Sequence, residues 1–251
     1  MAIPRIHCDL KLGPGAQFSL APDAAQHVAK ALRLKAGDAI VVFDGRGGEY
    51  DATVQRVDKD RVDVKVGALQ DAERESSLVL GLVQGLPEAD KMDWIIQKAT
   101  ELGIAWIQPV ICERSVVRLS GERAERRQAH WRRVAIAAAE QCGRTRVPEV
   151  RPTASFINWI AAPNEVPRWL LSPAAPAIGA RGAPPSSVEL VIGPEGGRAE
   201  RERSLALDRG CEAVGLGPRI LRTETASIVA LASIHALWGD FRLGTDPGSR
   251  I

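Results

Sequence analysis

The sequence predicts a small all-β domain followed by an α/β domain with a mainly parallel sheet. Three observations carry this. Residues 38–66 alternate apolar and polar side chains around glycine-rich and charged turns, the period of half-buried strands. From Leu78 onward, short apolar runs instead alternate with helical patterns, which implies helices on both faces of a parallel sheet. Two glycine-rich loops, Gly193–Gly197 and Gly215–Gly217, lie within one stretch of the second half, at a strand end and before a polar run that opens a helix.

In chain order, Asp23–Leu34 reads as a short helix, Asp38–Phe43 as a strand and Asp44–Gly48 as a hairpin turn. Glu49–Val57 and Arg61–Val66 continue the alternation. Gln70–Ser77 is polar and lacks apolar anchors, so the expected organisation is a domain over 1–70, a linker over 71–77 and a second domain over 78–251. Leu78–Val83 is a strand, Asp90–Leu102 a helix capped by Gly103, and Ile104–Ile111 the next strand. Between 113 and 151, ten arginines face five glutamates. On a helix over Glu122–Cys142, Arg123, Arg126, Arg127, His130 and Arg133 share one face, while Trp131, Val134, Ala135, Ala138 and Cys142 line the other. Thr153–Ile160 is a short helix, Pro167–Leu171 a strand, and residues 172–187 carry four prolines. Val188–Ile192 is a strand ending in the first glycine loop, and a charged helical pattern follows it. The run Ala226–Trp238 is apolar over more than one narrow stripe, the pattern of a central core helix or of one that also covers a second subunit.

Composition bounds the function. At 251 residues and 45% hydrophobic, the chain is long enough for two cores. No apolar stretch approaches the ~20 residues of a membrane span, and Pro4 and Asp9 interrupt the N-terminal segment where a signal peptide would have its apolar core. A cytoplasmic protein is expected. Cys8, Cys112, Cys142 and Cys211 have no paired spacing, so free thiols and no metal site are expected. A net charge of +2 does not by itself argue for nucleic acid. The absence of GxxxxGK[ST] or GxGxxG at a strand–helix junction speaks against a nucleotide-binding enzyme.

The segments IGPEGG (192–197) and LGPRILRTETA (216–226) resemble the signature of the RsmE family, S-adenosylmethionine-dependent methyltransferases of the knotted SPOUT class. These act on N3 of a uridine in small-subunit ribosomal RNA. HVAKALRLKAGD (27–38), KMD with QKATELG (91–93 and 97–103), and EQCGR (140–144) are similar to further segments of that family. The resemblance implies a PUA-like barrel that holds RNA, a trefoil knot in the second domain and a homodimer. The general rule against threaded chains would exclude a knot; the specific motif outweighs it. Two departures follow IGPEGG: Arg198 stands where an aromatic or apolar residue is usual, and Ala199 where Ser or Thr is. The missing hydroxyl weakens that helix start by about 1 kcal/mol. Glu88 stands where Lys is more usual.

Ligands of parallel sheets sit at the carboxyl ends of strands. The cofactor, S-adenosylmethionine, is therefore expected at Gly193, Pro194, Glu195, Gly196 and Gly197, at Leu216, Gly217, Ile220 and Leu221, and at Thr225 and Ala226. Leu171 and Ser172 join as a third wall because the resemblance implies it. Uracil N3–H is a weak acid, so the site must accept its proton or stabilise the anion. Glu224 or Glu195 is the candidate base if burial raises its pKa, and Arg219 or Arg222 the candidate stabiliser. Arg222 and Glu224 are the leading pair. Against this stand plainer roles: Glu195 holding its turn, and Arg222 pairing with Glu224 to order the loop. RNA contacts are expected at Arg5, Arg33, Lys35, Lys91, Arg114, Gln141 and Arg144, on free RNA or an assembled small subunit. The alternative is a non-catalytic RNA- or ribosome-binding protein with a vestigial cofactor pocket.

Overall fold

The computed structural model describes residues 3–59, 61–88, 90–180 and 186–242. Residues 1–2 of the first expected domain, and 181–185 and 243–251 of the second, lie outside them. The chain forms two compact units, one of residues 1–75 with 136–147, the other of 76–135 with 148–251.

The first unit is built on a five-stranded sheet. Its strands are β1 (Arg5–His7), β2 (Gln17–Ser19), β3 (Ala39–Phe43), β4 (Glu49–Val57) and β5 (Val62–Gln70), in the spatial order β1-β3-β4-β5-β2. Only β1 and β3 pair in parallel. The alternation read from the sequence is the inward set: Ile40, Val42, Ala52, Val54, Val62, Val64 and Val66 are buried together with Ile6 and Val28. The expected helix over 23–34 is shorter. Helix α1 (Pro22–Gln26) widens at His27–Ala31 into a π turn, where Leu32 N–H bonds to the His27 carbonyl at 3.0 Å. Arg33 then takes φ +53°, a left-handed conformation uncommon outside glycine, and the helix ends.

Residues 136–147 are held to this unit by polar contacts. Glu140 accepts from His7 N–H at 2.8 Å. Arg5 donates to the Arg144 carbonyl at 3.0 Å and pairs with Glu49, and Arg74 binds Glu49 and the Gly143 carbonyl at 3.0 Å each. The polar segment around Arg74 and Glu75, which has no regular secondary structure, is therefore anchored.

The second unit carries a parallel sheet of β6 (Val79–Gly85), β7 (Trp106–Ile111), β8 (Glu149–Val150), β9 (Ala154–Ser155), β10 (Arg168–Leu171), β11 (Ser187–Ile192) and β12 (Glu212–Val214). The order is β12-β10-β11-β6-β7-β8, with β9 also on β7. Helices α2 (Lys91–Glu101), α4 (Phe156–Ala161), α5 (Glu200–Asp208) and α6 (Thr223–Trp238), with residues 121–135 of α3 (Gly121–Cys142), complete it. The near-continuous apolar runs of β6 and β11 are buried along almost their whole length, as strands covered on both faces require. α6 packs against α2, β11, β6 and the turn Ile178–Ala180, which accounts for its buried Ala230, Leu231 and Ile234, while Val229 and Leu237 stay exposed. It starts at Thr223, three residues before the apolar pattern. Among the described residues, no helix is long and apolar enough to cross a membrane.

Candidate active site

The chain leaves three neighbouring strands, β10, β11 and β12, at the same edge of the sheet, and the loops that follow enclose a cavity of about 650 Å³. That size suits a nucleoside carrying an amino-acid tail. Its apolar floor comes from Leu170, Ile192 and Val214; Leu171, Ser172 and Leu216 extend the walls.

Backbone hydrogen bonds lock the loops together. Ser172 N–H donates to Val214 O at 2.9 Å, Gly215 N–H to Pro176 O at 2.7 Å and Ile178 N–H to Gly215 O at 2.9 Å. Gly215 is required here, because a Cβ would collide with the Ala175 carbonyl. On the other side, the turn Pro194–Gly197 closes with a 2.9 Å bond. A Cβ on Gly196 would meet not the cavity but Arg114, at 3.1 Å from its carbonyl, a tight contact that the 114 segment would have to yield to. Arg114 in turn reaches the Gly196 carbonyl at 3.3 Å.

Beneath the cavity lies a buried network of Gln84, Thr223 and Ser227, which the sequence reading missed. Thr223 Oγ1 donates to Gly193 O at 2.6 Å and accepts from Gln84 Nε2 at 2.9 Å. Gln84 Nε2 also donates to Gly85 O at 2.9 Å, and Ser227 Oγ donates to Gln84 Oε1 at 2.6 Å. Both amide hydrogens of Gln84 are used, so the network ties the end of β6 to the first glycine loop and the start of α6. Its one signal in the sequence is a lone Gln inside the apolar run 78–86.

The charged residues sort clearly. Glu195 accepts from Lys91 Nζ at 2.8 Å and from Glu88 N–H at 3.0 Å. Burial raises its pKa, but the bonds from Lys91 and the backbone outweigh that and hold the carboxyl below its ordinary value. In this arrangement its carboxylate ties the first glycine loop to Glu88 and the start of α2. Arg222 is exposed, occupies the N-cap position of α6 without a side-chain capping bond, and lines the cavity, as does Arg219. Gly196, Glu224 and Thr225 do not line it, although Gly193, Pro194, Gly197, Gly217, Leu221 and Ala226 do. Glu224 Oε2 is buried without a hydrogen-bond partner, and no Arg222–Glu224 ion pair forms among the described residues. Ile220, expected as an apolar wall, stands at the mouth and is 86% exposed. Arg198 lies with its guanidinium 4.4 Å above the Phe156 ring and Nη1 3.9 Å from Cys112 Sγ. Its Nε and Nη2 are buried and have no acceptor, and burial pushes its pKa down.

Of the residues expected to meet RNA, Arg33, Lys35 and Gln141 are exposed, as are Arg123, Arg126 and Arg133 on α3. Lys91 is engaged with Glu195. Two expectations are corrected. Arg144 is 5% exposed and its guanidinium is bound to Glu75, so it has no face left for a phosphate. Arg5 is similarly spent on Glu49 and the Arg144 carbonyl. Cys8, Cys112 and Cys211 are buried and Cys142 half-buried, all as free thiols.

Comparison with known proteins gives these features a context. Residues 74–235 match a family model described as an RNA methyltransferase domain, and residues 20–67 one described as an RNA methyltransferase PUA domain. The ribosomal RNA small subunit methyltransferase E of Bacillus subtilis is 34% identical over 86% of this chain and 89% of its own. The structure of the Neisseria gonorrhoeae enzyme of that name, bound to S-adenosylmethionine, superposes with a TM-score of 0.91 at 37% identity, covering 96% of this chain and all of the other. A Legionella pneumophila protein, also solved with S-adenosylmethionine, gives a TM-score of 0.92 at 35% identity over the same shares. The chain therefore belongs to the ribosomal RNA small subunit methyltransferase E family of SPOUT-type α/β enzymes with an N-terminal PUA-like domain.

Proposed function

We propose that the protein methylates N3 of a uridine in small-subunit ribosomal RNA, with S-adenosylmethionine as donor. The observation that carries this reading is the cavity at the carboxyl edge of the parallel sheet, whose mouth presents exposed Arg219 and Arg222, neither in an ion pair among the described residues. The cofactor, when bound, supplies an electrophilic methyl group on a sulfonium. The backbone of 171–172, 193–197 and 216–221 provides donors and acceptors for its adenine and ribose, and Leu170, Leu171, Val214 and Leu216 exclude water from them.

The chain's own part in the chemistry lies at the start of α6. Arg222 precedes the first helical residue, so its guanidinium and the free amides of the first turn favour negative charge at the same place. They stabilise charge developing on O2 or O4 of the uracil ring. Glu224, which does not line the cavity at rest but carries an Oε2 buried without a hydrogen-bond partner, turns into it to accept the N3 proton. Arg33, Lys35, Gln141 and the α3 arginines bind phosphates, residues 1–70 serve as the RNA-holding domain and 78–251 as the methyltransferase domain. Half-exposed Trp94 on α2, with Val229 and Leu237 on α6, support a homodimer, as the family resemblance implies. The crossing of 172–178 with Gly215, and the packing of α6 on Ile178–Ala180, support a trefoil knot. A cytoplasmic location follows from such a substrate.

Calorimetry separates this reading from a non-catalytic RNA-binding protein. One S-adenosylmethionine bound per chain, with the subunit RNA methylated in its presence, is the expected result. Absence of binding at millimolar cofactor contradicts the reading.

A further inference from the structure

Arg198 is the charged group in the cavity wall that neither the fold nor the proposed chemistry uses. A guanidinium carries five N–H donors and no acceptor. Here the side chain packs on Phe156, Nη1 makes only a long contact to Cys112 Sγ, and buried Nε and Nη2 have no acceptor. Glu202, the carboxylate near enough to influence it, is already engaged: it accepts from Glu113 N–H at 2.9 Å and from Ala199 N–H at 3.4 Å. A buried cation in that state is held at a cost in free energy, and an anion that reaches it relieves that cost. The route to it is also visible. Arg198 lines the cavity, and its Cγ lies 3.4 Å from where a Cβ on Gly193 would stand, so the stem runs beside the first glycine loop. The other cavity arginines, Arg203, Arg219 and Arg222, are exposed and face solvent.

We propose that Arg198 binds the carboxylate of the cofactor's amino-acid end, turning from its rest over Phe156 into the cavity as the ligand enters. A phosphate of a folded RNA would meet the exposed arginines first; a small carboxylate carried into the cavity is the anion that reaches a wall residue. This rests on S-adenosylmethionine being the cofactor. The pairing is a charge-assisted, two-pronged one, the kind a guanidinium makes best.

The test compares S-adenosylmethionine with its decarboxylated form, which lacks only the carboxylate, by calorimetry on the full chain. The unmodified protein is expected to bind S-adenosylmethionine at least about tenfold more tightly than the decarboxylated form. Arg198→Leu and Arg198→Met should lose that preference, S-adenosylmethionine falling to the affinity of the decarboxylated ligand and the latter unchanged. Their ligand-free melting temperature should be equal or higher, since an unpartnered buried cation is gone; the unbranched Met stem keeps the packing on Phe156 if Leu does not. Preference retained in the variants overturns the inference, as does an equal loss for both ligands, which marks a purely structural role. Unchanged cofactor affinities with a flattened salt dependence of RNA binding would make phosphate the partner and overturn it too. If the unmodified protein binds neither ligand, the cofactor reading itself fails, and this inference with it.

Discussion

At the scale of residues, two side chains divide the site's work. Arg222 is exposed at the mouth and makes no side-chain ion pair among the described residues; in the proposed chemistry it acts on the reacting base. Replacing it with Ala should slow single-turnover methylation by about 10² to 10³, the usual effect of losing one donor aimed at developing charge, while cofactor affinity stays the same. Lys there should recover only part, because it keeps the charge and loses the planar fork. Rapid-quench kinetics at saturating cofactor and RNA read this directly. Thr223 is the opposite case. Thr223→Val keeps the volume but strands one amide hydrogen of Gln84 and the Gly193 carbonyl. Denaturant unfolding should show a loss of about 1–3 kcal/mol, with weaker cofactor binding as the first glycine loop loosens. Sequence reasoning nominated Arg222 through its motif but did not reach the Gln84–Thr223–Ser227 network, whose members lie 139 and 143 residues apart. The same distance problem hid the fate of Arg144. Its partner Glu75 is 69 residues away, and a basic residue in a polar stretch after a helix looks like an RNA contact until the carboxylate beside it is seen.

At the scale of elements, the long periodic segments were legible: β3, β4, β6, β11 and the helices α2, α3 and α6 lie where their patterns put them. The misses have local causes. α1 opens with Pro22 and gives way to a π turn, a hydrogen-bond shift that leaves no trace in apolar spacing. β8 and β9 are two residues long and exist through pairing with β7 rather than through any period of their own. The missing cap at α5 was visible in the sequence and is present in the structure. Ala199 offers no side-chain acceptor, while Glu202 keeps its reach back to the Ala199 N–H. Ala199→Ser should complete the reciprocal cap and raise stability by about 1 kcal/mol, a rise of about 2–4 °C in melting temperature, with cofactor affinity unchanged.

At the scale of the whole molecule, both units carry exposed cations that the proposed function assigns to RNA. These are Arg33 and Lys35 on the first, and Arg123, Arg126 and Arg133 on the second. Binding to small-subunit RNA should therefore weaken steeply with salt. Removing the three α3 arginines together should flatten the log–log slope by about 2, at about 0.7–0.9 per phosphate lost. Filter binding across a salt series checks this, and an unchanged slope would mean a merely solvated face. The location of the cavity was legible for a general reason. Parallel strands deliver their loops to one edge, and two glycine loops marked which edge, whereas the contents of the cavity wall depend on contacts between segments far apart in sequence.

The central claim, transfer of a methyl group to N3 of a uridine, is tested most directly by following the label. Small-subunit RNA is incubated with the protein and methyl-labelled S-adenosylmethionine, digested to nucleosides and resolved by mass spectrometry. The account predicts one labelled species per RNA, 3-methyluridine, absent without protein. Label on another atom or another base, or no label with cofactor bound, would contradict it.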